Sequence, residues 1–335
     1  MHMADALLSP AVGLTMSAVS LGAVGYSIAT IKRDDLCEKK VPIMGVAGAF
    51  VFAAQMINFT IPATGSSGHI GGGILLAAML GGFPSLLTLA AVLIIQALFF
   101  ADGGLIALGC NIFNMGVIPC LLVYPLIWKP LVKKGLTFKR ITVASIVSVV
   151  VGLQLGAFGV VLETLASGIT ELPFQSFLLL MQPIHLAIGV AEGVVTAAVL
   201  CFVYRMRPEL FESANAGSSI PTGVSMKKVL VSLGIIALLT GGILSLFASS
   251  YPDGLEWSME RVAGTAELAT KGEVFDSAAQ IQEQTAFLPD YDYADGSGTG
   301  TSVSGIVGGA LTFALAGLTG FLISRSKKKK REAAV

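Results

Sequence analysis

Eight runs of about 20 apolar residues recur along this sequence, each long enough to cross the hydrocarbon core of a bilayer. They occupy about 11–31, 41–60, 84–101, 108–128, 141–162, 176–204, 229–248 and 304–324. Only 13% of the 335 residues are charged and 54% are hydrophobic, whereas a soluble domain carries about 25% charged residues. So little charge cannot cover a water-facing surface, so lipid has to solvate much of the chain. A shorter, glycine-rich stretch, 70–83, reads as a ninth helix separated from the next by Gly82, Phe83 and Pro84. The first residues lack a basic n-region and a small-residue cleavage site, so no cleavable leader is expected.

The basic residues test this count. Cytoplasmic loops of membrane proteins are enriched in Lys and Arg. With nine spans and the N-terminus outside, the cytoplasmic segments are 32–40, about 82–84, 129–140, 205–228 and the tail from 325, and they hold 19 of the 21 Lys and Arg. Omitting the short span would put 32–40 and 129–140 on opposite faces. The expected architecture is an all-α integral membrane protein of nine spans, N-terminus out and C-terminus in. The segments 1–10, 61–69, 102–107, 163–175 and 249–303 are then outside. The last of these carries ten acidic residues.

Residues 208–226 are polar and contain Ser, Pro and Gly, a linker composition. They divide a seven-span module, 1–207, from a two-span module, 227–335, whose outer loop has an amphipathic helical stretch near 255–285. On the second span Gly45, Ala49 and Ala53 form a ridge of small residues, a close-packing face that fits either within the fold or against a partner subunit. The cysteines Cys37, Cys110, Cys120 and Cys201 fit neither a disulfide framework nor a CxxC metal knuckle.

Little reactive chemistry is present. The sequence has three histidines, His2, His69 and His185. A bulky second residue opposes removal of the initiator, so a free amine on Met1 followed by His2 is expected. That terminus is a chelate: the amine, the His2 amide nitrogen and the His2 imidazole Nδ1 close two fused rings on one metal ion. Ni²⁺ or Cu²⁺ can displace the amide proton and settle in a square plane of nitrogens. One more nitrogen completes that plane, and His69, in SSGHIGGG (66–73) on the same expected face, can supply it. The plain alternative is a disordered terminal histidine and an ordinary loop histidine. His185 lies within a span near Gln182 and Glu192 and reads as a hydrogen-bonded structural residue. Gln96, Asp102, Asn111 and Asn114 form a polar group; the two asparagines are spaced i, i+3 on one helix face. They serve either a ligand site or interhelical packing. Glu192 is an intramembrane acid and a candidate member of a polar network. No GxxxxGK[ST] phosphate loop, no HExxH motif and no basic, aromatic-interleaved surface for nucleic acid occurs.

Four motifs in order resemble one family. MHMADALLSP (1–10) is similar to the MHIxDGFLSP opening of CbiM/NikM proteins, the substrate-binding components of energy-coupling-factor (ECF) cobalt and nickel transporters. HIGGG (69–73) resembles their HxGGG. Asp102-Gly103-Gly104 with LGCNIFNM (108–115) resembles DGGxxxLGxNxxNM, and GVAEG (189–193) resembles GxxEG. Ala6 departs from the usual Gly. PDGLEW (252–257) and PDY (289–291) resemble the PDGLE domain, related to the accessory N component, so the whole looks like an M–N fusion. The resemblance implies Ni²⁺ or Co²⁺ as transported substrate, held by the Met1 amine, the His2 amide and side chain, and His69. Asp5, Ser67, Asp102, Asn111, Asn114 and Glu192 are then expected to support those ligands. It also implies a transmembrane coupling protein and cytoplasmic ABC ATPases as partners in a prokaryotic cell membrane, and no organic cofactor. Two other readings fit the residues: a membrane metal-dependent enzyme, and a metal sensor or scaffold without transport. No general base or nucleophile accompanies the histidines, and a filled square plane leaves no open position for a substrate.

Overall fold

The computed structural model describes residues 2–31, 39–266, 268–270, 272–293 and 299–332. Among them the chain is an all-α membrane protein. Six helices are long and apolar enough to cross a bilayer: α1 (Pro10–Thr30), α4 (Gly82–Phe99), α5 (Leu108–Val132), α6 (Phe138–Ser167), α7 (Phe174–Met206) and the stretch Gly300–Lys327 of α12 (Thr299–Glu332). Two further apolar helices have 16 residues each, α2 (Lys40–Gln55) and α9 (Lys227–Gly242). Local signals set the boundaries. Ser9 Oγ accepts the Val12 N–H beneath Pro10 to open α1, and Thr137 does the same for Arg140 to open α6. Pro119 and Pro125 cannot donate to the helical ladder, and α5 widens to a π winding over Phe113–Trp128.

The short stretch 70–83 differs from a spanning helix. Its helix, α3 (Gly73–Leu80), has eight residues, all of them buried. Eight residues rise only about 12 Å, and α3 lies inside protein, with α4, α5 and α7 among the helices around it. Protein groups meet the chain around its start, with Glu192 accepting the Gly72 N–H and Cys120 Sγ donating to Gly73 O, as irregular chain at membrane depth requires. Outside the helices, Phe59–Ile61 (β1) and Ser66–Gly68 (β2) pair as an antiparallel hairpin, which turns the expected loop before His69 into a rigid element.

The two parts of the chain pack closely. α2 lies against α4, α9 and α12. The small-residue ridge faces α12 of the same chain, which answers its partner within the fold. A Cβ on Gly45 would stand 2.9 Å from Phe313 Cδ2 and 3.0 Å from the Phe313 carbonyl, and Ala49 packs on Gly309. Ala53 is fully buried. The expected linker is also structured. Pro208–Ala216 forms α8, buries Leu210 and Phe211, and accepts the Tyr124 hydroxyl at Ala214 O. Lys39 Nζ then donates to the carbonyls of Pro221, Thr222 and Val224 at 2.6–2.7 Å.

Gly45→Leu should therefore wedge α12 away from α2 and cost about 1–3 kcal/mol, the usual penalty of overpacking. The same change at Gly22, which has nothing within 4 Å, should leave stability unaltered. Thermal unfolding in detergent compares them; equal melting temperatures for the two variants would overturn the α2–α12 seam.

Candidate metal centre

The first residues enter the protein interior. Met3, Leu7 and Leu8 are fully buried, and a single 3-10 turn over Asp5–Leu7 leads into α1. Such a segment needs partners for its backbone, because buried peptide groups without them cost free energy. Asn111 supplies both for Met3: its Oδ1 accepts the Met3 N–H at 2.8 Å, and its Nδ2 donates to Met3 O at 3.2 Å. Gly104 N donates to the same carbonyl, and Asp5 Oδ1 accepts from Ala107 N. The loop 102–107 and the start of α5 thus hold the terminus in register. Met1 lies outside the described residues.

Held in this way, His2 stacks on His69, with ring centroids 5.2 Å apart and planes 19° from parallel. Hydrogen bonds settle the tautomers. Gln55 Nε2 donates to Gly71 O at 2.8 Å, so Gln55 Oε1 is an acceptor. It receives Gln96 Nε2 at 2.8 Å, so Gln96 Oε1 is an acceptor in turn. His2 Nε2, 3.1 Å from that oxygen, must carry the proton, which leaves Nδ1 with its lone pair. Nδ1 lies 3.2 Å from Asp102 Oδ1, and two acceptors can approach only with a proton between them. Burial raises the Asp102 carboxyl above the ordinary range, which favours the acid as the donor in this contact. Tyr291 O–H fixes the other oxygen, Oδ2. His69 donates Nδ1–H to Ile70 O at 3.1 Å, so its lone pair is on Nε2. Burial and then the charge of the amino terminus push both imidazoles down to about 3. Both are neutral bases at physiological pH, the form that binds metal.

The glycine-rich loop after His69 is pinned from two sides. Gln55 takes the Gly71 carbonyl, and Glu192 Oε1 accepts the Gly72 N–H at 3.0 Å. The C-terminal half closes the outer side. Ser67 N donates to Pro252 O at 2.8 Å and its Oγ to Tyr251 O at 2.7 Å, and Ser67 pairs with Asp253 in a parallel bridge. The PDGLE residues each have a physical task here. Pro252 accepts from Ser67. Asp253 and Glu256 form a capping box on α10 (Gly254–Ala263). Gly254 has no side chain because a Cβ there would come within 2.8 Å of Ile188 and 3.0 Å of His185. Leu255 is buried. From α11 (Glu273–Thr285), Gln282 Nε2 donates to Ala97 O and Gly103 O. Burial is the largest single influence on the Asp253 carboxyl and would raise it, but the charge of the amino terminus, the neighbouring His69 and hydrogen bonds from the terminus and the Glu256 backbone together hold it below the ordinary range.

Of the residues expected from sequence, the structure brings His2, His69, Asp5, Ser67, Asp102, Asn111 and Glu192 into one connected network. Asn114 belongs to a different contact: its Nδ2 donates to Glu163 Oε2 at 2.7 Å, joining α5 to α6. His185 donates Nδ1–H to Met181 O within its own helix. His69, His185, Glu192, Asn114 and Asp253 line a cavity of about 40 Å3. Gln55, Asp253, Gln282 and Tyr291 were not singled out by residue type; the PDG and PDY strings were the signals that bore on two of them. Among the described residues no group of three or more His, Cys, Asp or Glu side chains forms a metal cage. A metal held by these two imidazoles takes its remaining donors from elsewhere, and backbone nitrogen of the buried terminus is adjacent.

Fold and site together define a polytopic helical membrane protein with a nitrogen-rich centre at the buried start of its chain. The chain belongs to the CbiM family, described as the cobalt uptake substrate-specific transmembrane region, which matches residues 2–210. A PDGLE domain matches residues 227–325. A candidate fused nickel transport protein NikMN of Archaeoglobus fulgidus is 29% identical, covering 97% of this chain and 98% of that protein. The fused nickel transport protein NikMN of Rhodobacter capsulatus is 28% identical over 98% of this chain and 99% of its own length. A solved structure, a truncated transition metal transporter, superposes with a TM-score of 0.54 at 27% identity, covering 62% of this chain and 99% of that one. These relatives are transport proteins, and this chain is a member of a transport family and not an enzyme.

The amide relay carries a prediction. Gln96→Leu removes the acceptor that holds the proton on His2 Nε2. Nitrogen-15 spectra of histidine-labelled protein should then show a mixture of His2 tautomers in place of the single Nε2–H form, and metal affinity should fall about 10–100-fold, as for other outer partners of ligating histidines. An unchanged His2 spectrum would refute the relay.

Proposed function

We propose that this chain is the substrate-capture subunit of an ECF-type ABC transporter, which binds Ni²⁺ or Co²⁺ outside a prokaryotic cell and mediates its ATP-driven uptake through the cell (inner) membrane. The observation that carries this reading is the pair of neutral, stacked imidazoles whose tautomers are fixed by Gln96 and Ile70 beside a buried chain start. The substrate ion takes the Met1 amine, the His2 amide nitrogen and Nδ1, and His69 Nε2. Asp5, Ser67, Asp102, Asn111 and Glu192 position these ligands. On loading, the ion takes the Nδ1 lone pair in place of the contact with Asp102. A rigid square plane favours Ni²⁺ over Co²⁺.

The sequence has no phosphate-binding loop, so the energy has to come from other chains: a transmembrane coupling protein and cytoplasmic ATPases. The seven-span module 1–207 carries the ligands. The segment 208–226 joins it on the cytoplasmic side to the module 227–335, whose loop 249–303 lies outside. The distribution of Lys and Arg supports nine crossings with the N-terminus out, the one through 70–83 made by the short buried helix α3 and the extended chain before it.

The ligand set is tested by calorimetry with Ni²⁺ and Co²⁺ on purified full-length variants. His2→Ala and His69→Ala should each abolish measurable binding, whereas His185→Ala should retain it. An uncleaved extension before Met1 turns the amine into an amide and should abolish binding too, while a tag after Val335 should not. Full affinity with the extension in place overturns terminal-amine ligation.

The sidedness is tested by labelling intact cells with an impermeant thiol reagent. A cysteine placed at Ser250 should react and one at Ser218 should not. The reverse result would put the histidines on the wrong face for capture.

A further inference from the structure

At the basic end of the helices, far along the chain from the histidines, α5, α7 and α8 enclose a cleft that the metal centre does not use. Its volume is about 710 Å3, and Lys129, Lys133, Leu136, Tyr204, Glu212 and Asn215 are among the residues that line it. Two ammonium groups face one carboxylate across this lining. Among the described residues neither Lys129 nor Lys133 has a carboxylate partner within salt-bridge distance. A concave surface with surplus positive charge and low-dielectric walls concentrates anions.

The walls of the cleft are built. Lys129 Nζ stands 5.4 Å from the centroid of the Tyr124 ring, a cation over an aromatic face. Tyr124 is buried, and its hydroxyl is tied to Ala214 O and Asn215 Oδ1, each at 3.3 Å, which fixes α8 as one side. On the other side Tyr204 O–H donates to Leu136 O at 3.0 Å, and its ring meets Phe138 and Phe211 edge-on. Arg140 Nη1 donates to the carbonyls of Lys134 and Gly135, so this guanidinium is spent on the turn between α5 and α6. The rest of the edge is apolar. Pro125, Pro130 and Leu136 line it, and Phe138, 53% exposed, stands beside Tyr204. The preceding turns of α5 expose Leu122 and Leu126. Charge on one edge and apolar surface on the other match an amphiphile; a soluble anion would use the first and leave the second bare.

We propose that this cleft binds the phosphate of an anionic phospholipid of the adjoining leaflet, with Lys129 and Lys133 as its two cations and the apolar edge against its acyl chains. The distribution of Lys and Arg makes that leaflet the cytoplasmic one. Basic pockets between membrane helices on that side suit phosphate head groups, and each lysine there strengthens binding about fivefold. Glu212 opposes the phosphate. The lipid joins α5, α7 and α8 and leaves the metal ligands untouched, so the inference stands apart from the transport reading.

The test separates this cleft from general basic charge. The full chain in detergent is titrated with phosphatidylglycerol, with phosphatidylcholine, or with inorganic phosphate, and bound molecules are counted by native mass spectrometry. Wild type should retain one phosphatidylglycerol in preference to phosphatidylcholine, and millimolar phosphate should not displace it. The double variant Lys129→Gln/Lys133→Gln should bind phosphatidylglycerol about 20–30-fold more weakly, two lysines at about fivefold each. Lys227→Gln/Lys228→Gln removes the same charge from the start of α9 and should bind as wild type does. Glu212→Gln should bind a few-fold more tightly, an effect that a misfolded variant cannot mimic. Unchanged binding in Lys129→Gln/Lys133→Gln, an equal loss in Lys227→Gln/Lys228→Gln, or weaker binding in Glu212→Gln overturns the proposal. Displacement by inorganic phosphate would make the occupant a soluble anion and overturns the lipid assignment. If Lys129→Gln/Lys133→Gln keeps the lipid but loses a co-purifying protein chain, the cleft is a protein interface and the proposal also falls.

Discussion

The amide of Asn111 holds the backbone of Met3 from both sides, and the site depends on that clamp. A chain terminus normally frays, because ordering it costs conformational entropy for few contacts. Here the terminus is drawn inside by the buried side chains of Met3, Leu7 and Leu8. The clamp fixes its register to within a hydrogen bond. His2 then has one place to go, against His69. The pairs Gln55–Gln96 and Asp102–Tyr291 decide which of its nitrogens carries a proton. A buried backbone satisfied by one side chain thus becomes a device that aims an imidazole lone pair.

The bilayer explains why so little of this network is on the surface. Lipid cannot hydrogen-bond, so polar groups at membrane depth must pair with protein. Gln55, Gln96 and Glu192 do so with one another, with His2 or with the loop after His69. The short helix α3 is the structural counterpart of this demand. Being entirely shielded by longer helices, it can end early and leave space for the loop that carries His69. On the other side, α1 turns Leu14, Leu21 and Tyr26 outward, where apolar side chains meet lipid at no cost.

The C-terminal half is integrated with the rest and is no appendage. α12 fills the groove along Gly45 and Ala49, and the PDGLE segment closes the outer face through Ser67. Tyr291 has a positive φ of 65°, a conformation that costs free energy and persists only where surrounding contacts enforce it. It reaches Asp102, stacks on Phe100, and so ties the second half directly to the group that faces His2. Both halves therefore contribute to one centre.

The sequence by itself determined the membrane class, because long apolar runs have one solvent. It marked His2 and His69 as candidate ligands, because an amine followed by histidine has chelating geometry and a glycine-rich loop admits close approach. It also pointed to Asp102, Asn111 and Glu192 through their polarity in apolar surroundings. Tertiary structure alone decided the remainder. Gln55 and Gln96 are 41 residues apart, and Asp102 and Tyr291 189 apart; no local pattern announces such pairs. The small-residue ridge showed that something packs closely on α2, but any flat apolar face satisfies that requirement, and only the path of the chain made it α12. Asp253 read as part of a motif, and its place beside His69 came from a backbone pairing with Ser67 across 186 positions. The length of α3 was fixed by burial, since a helix enclosed by protein has no bilayer thickness to match.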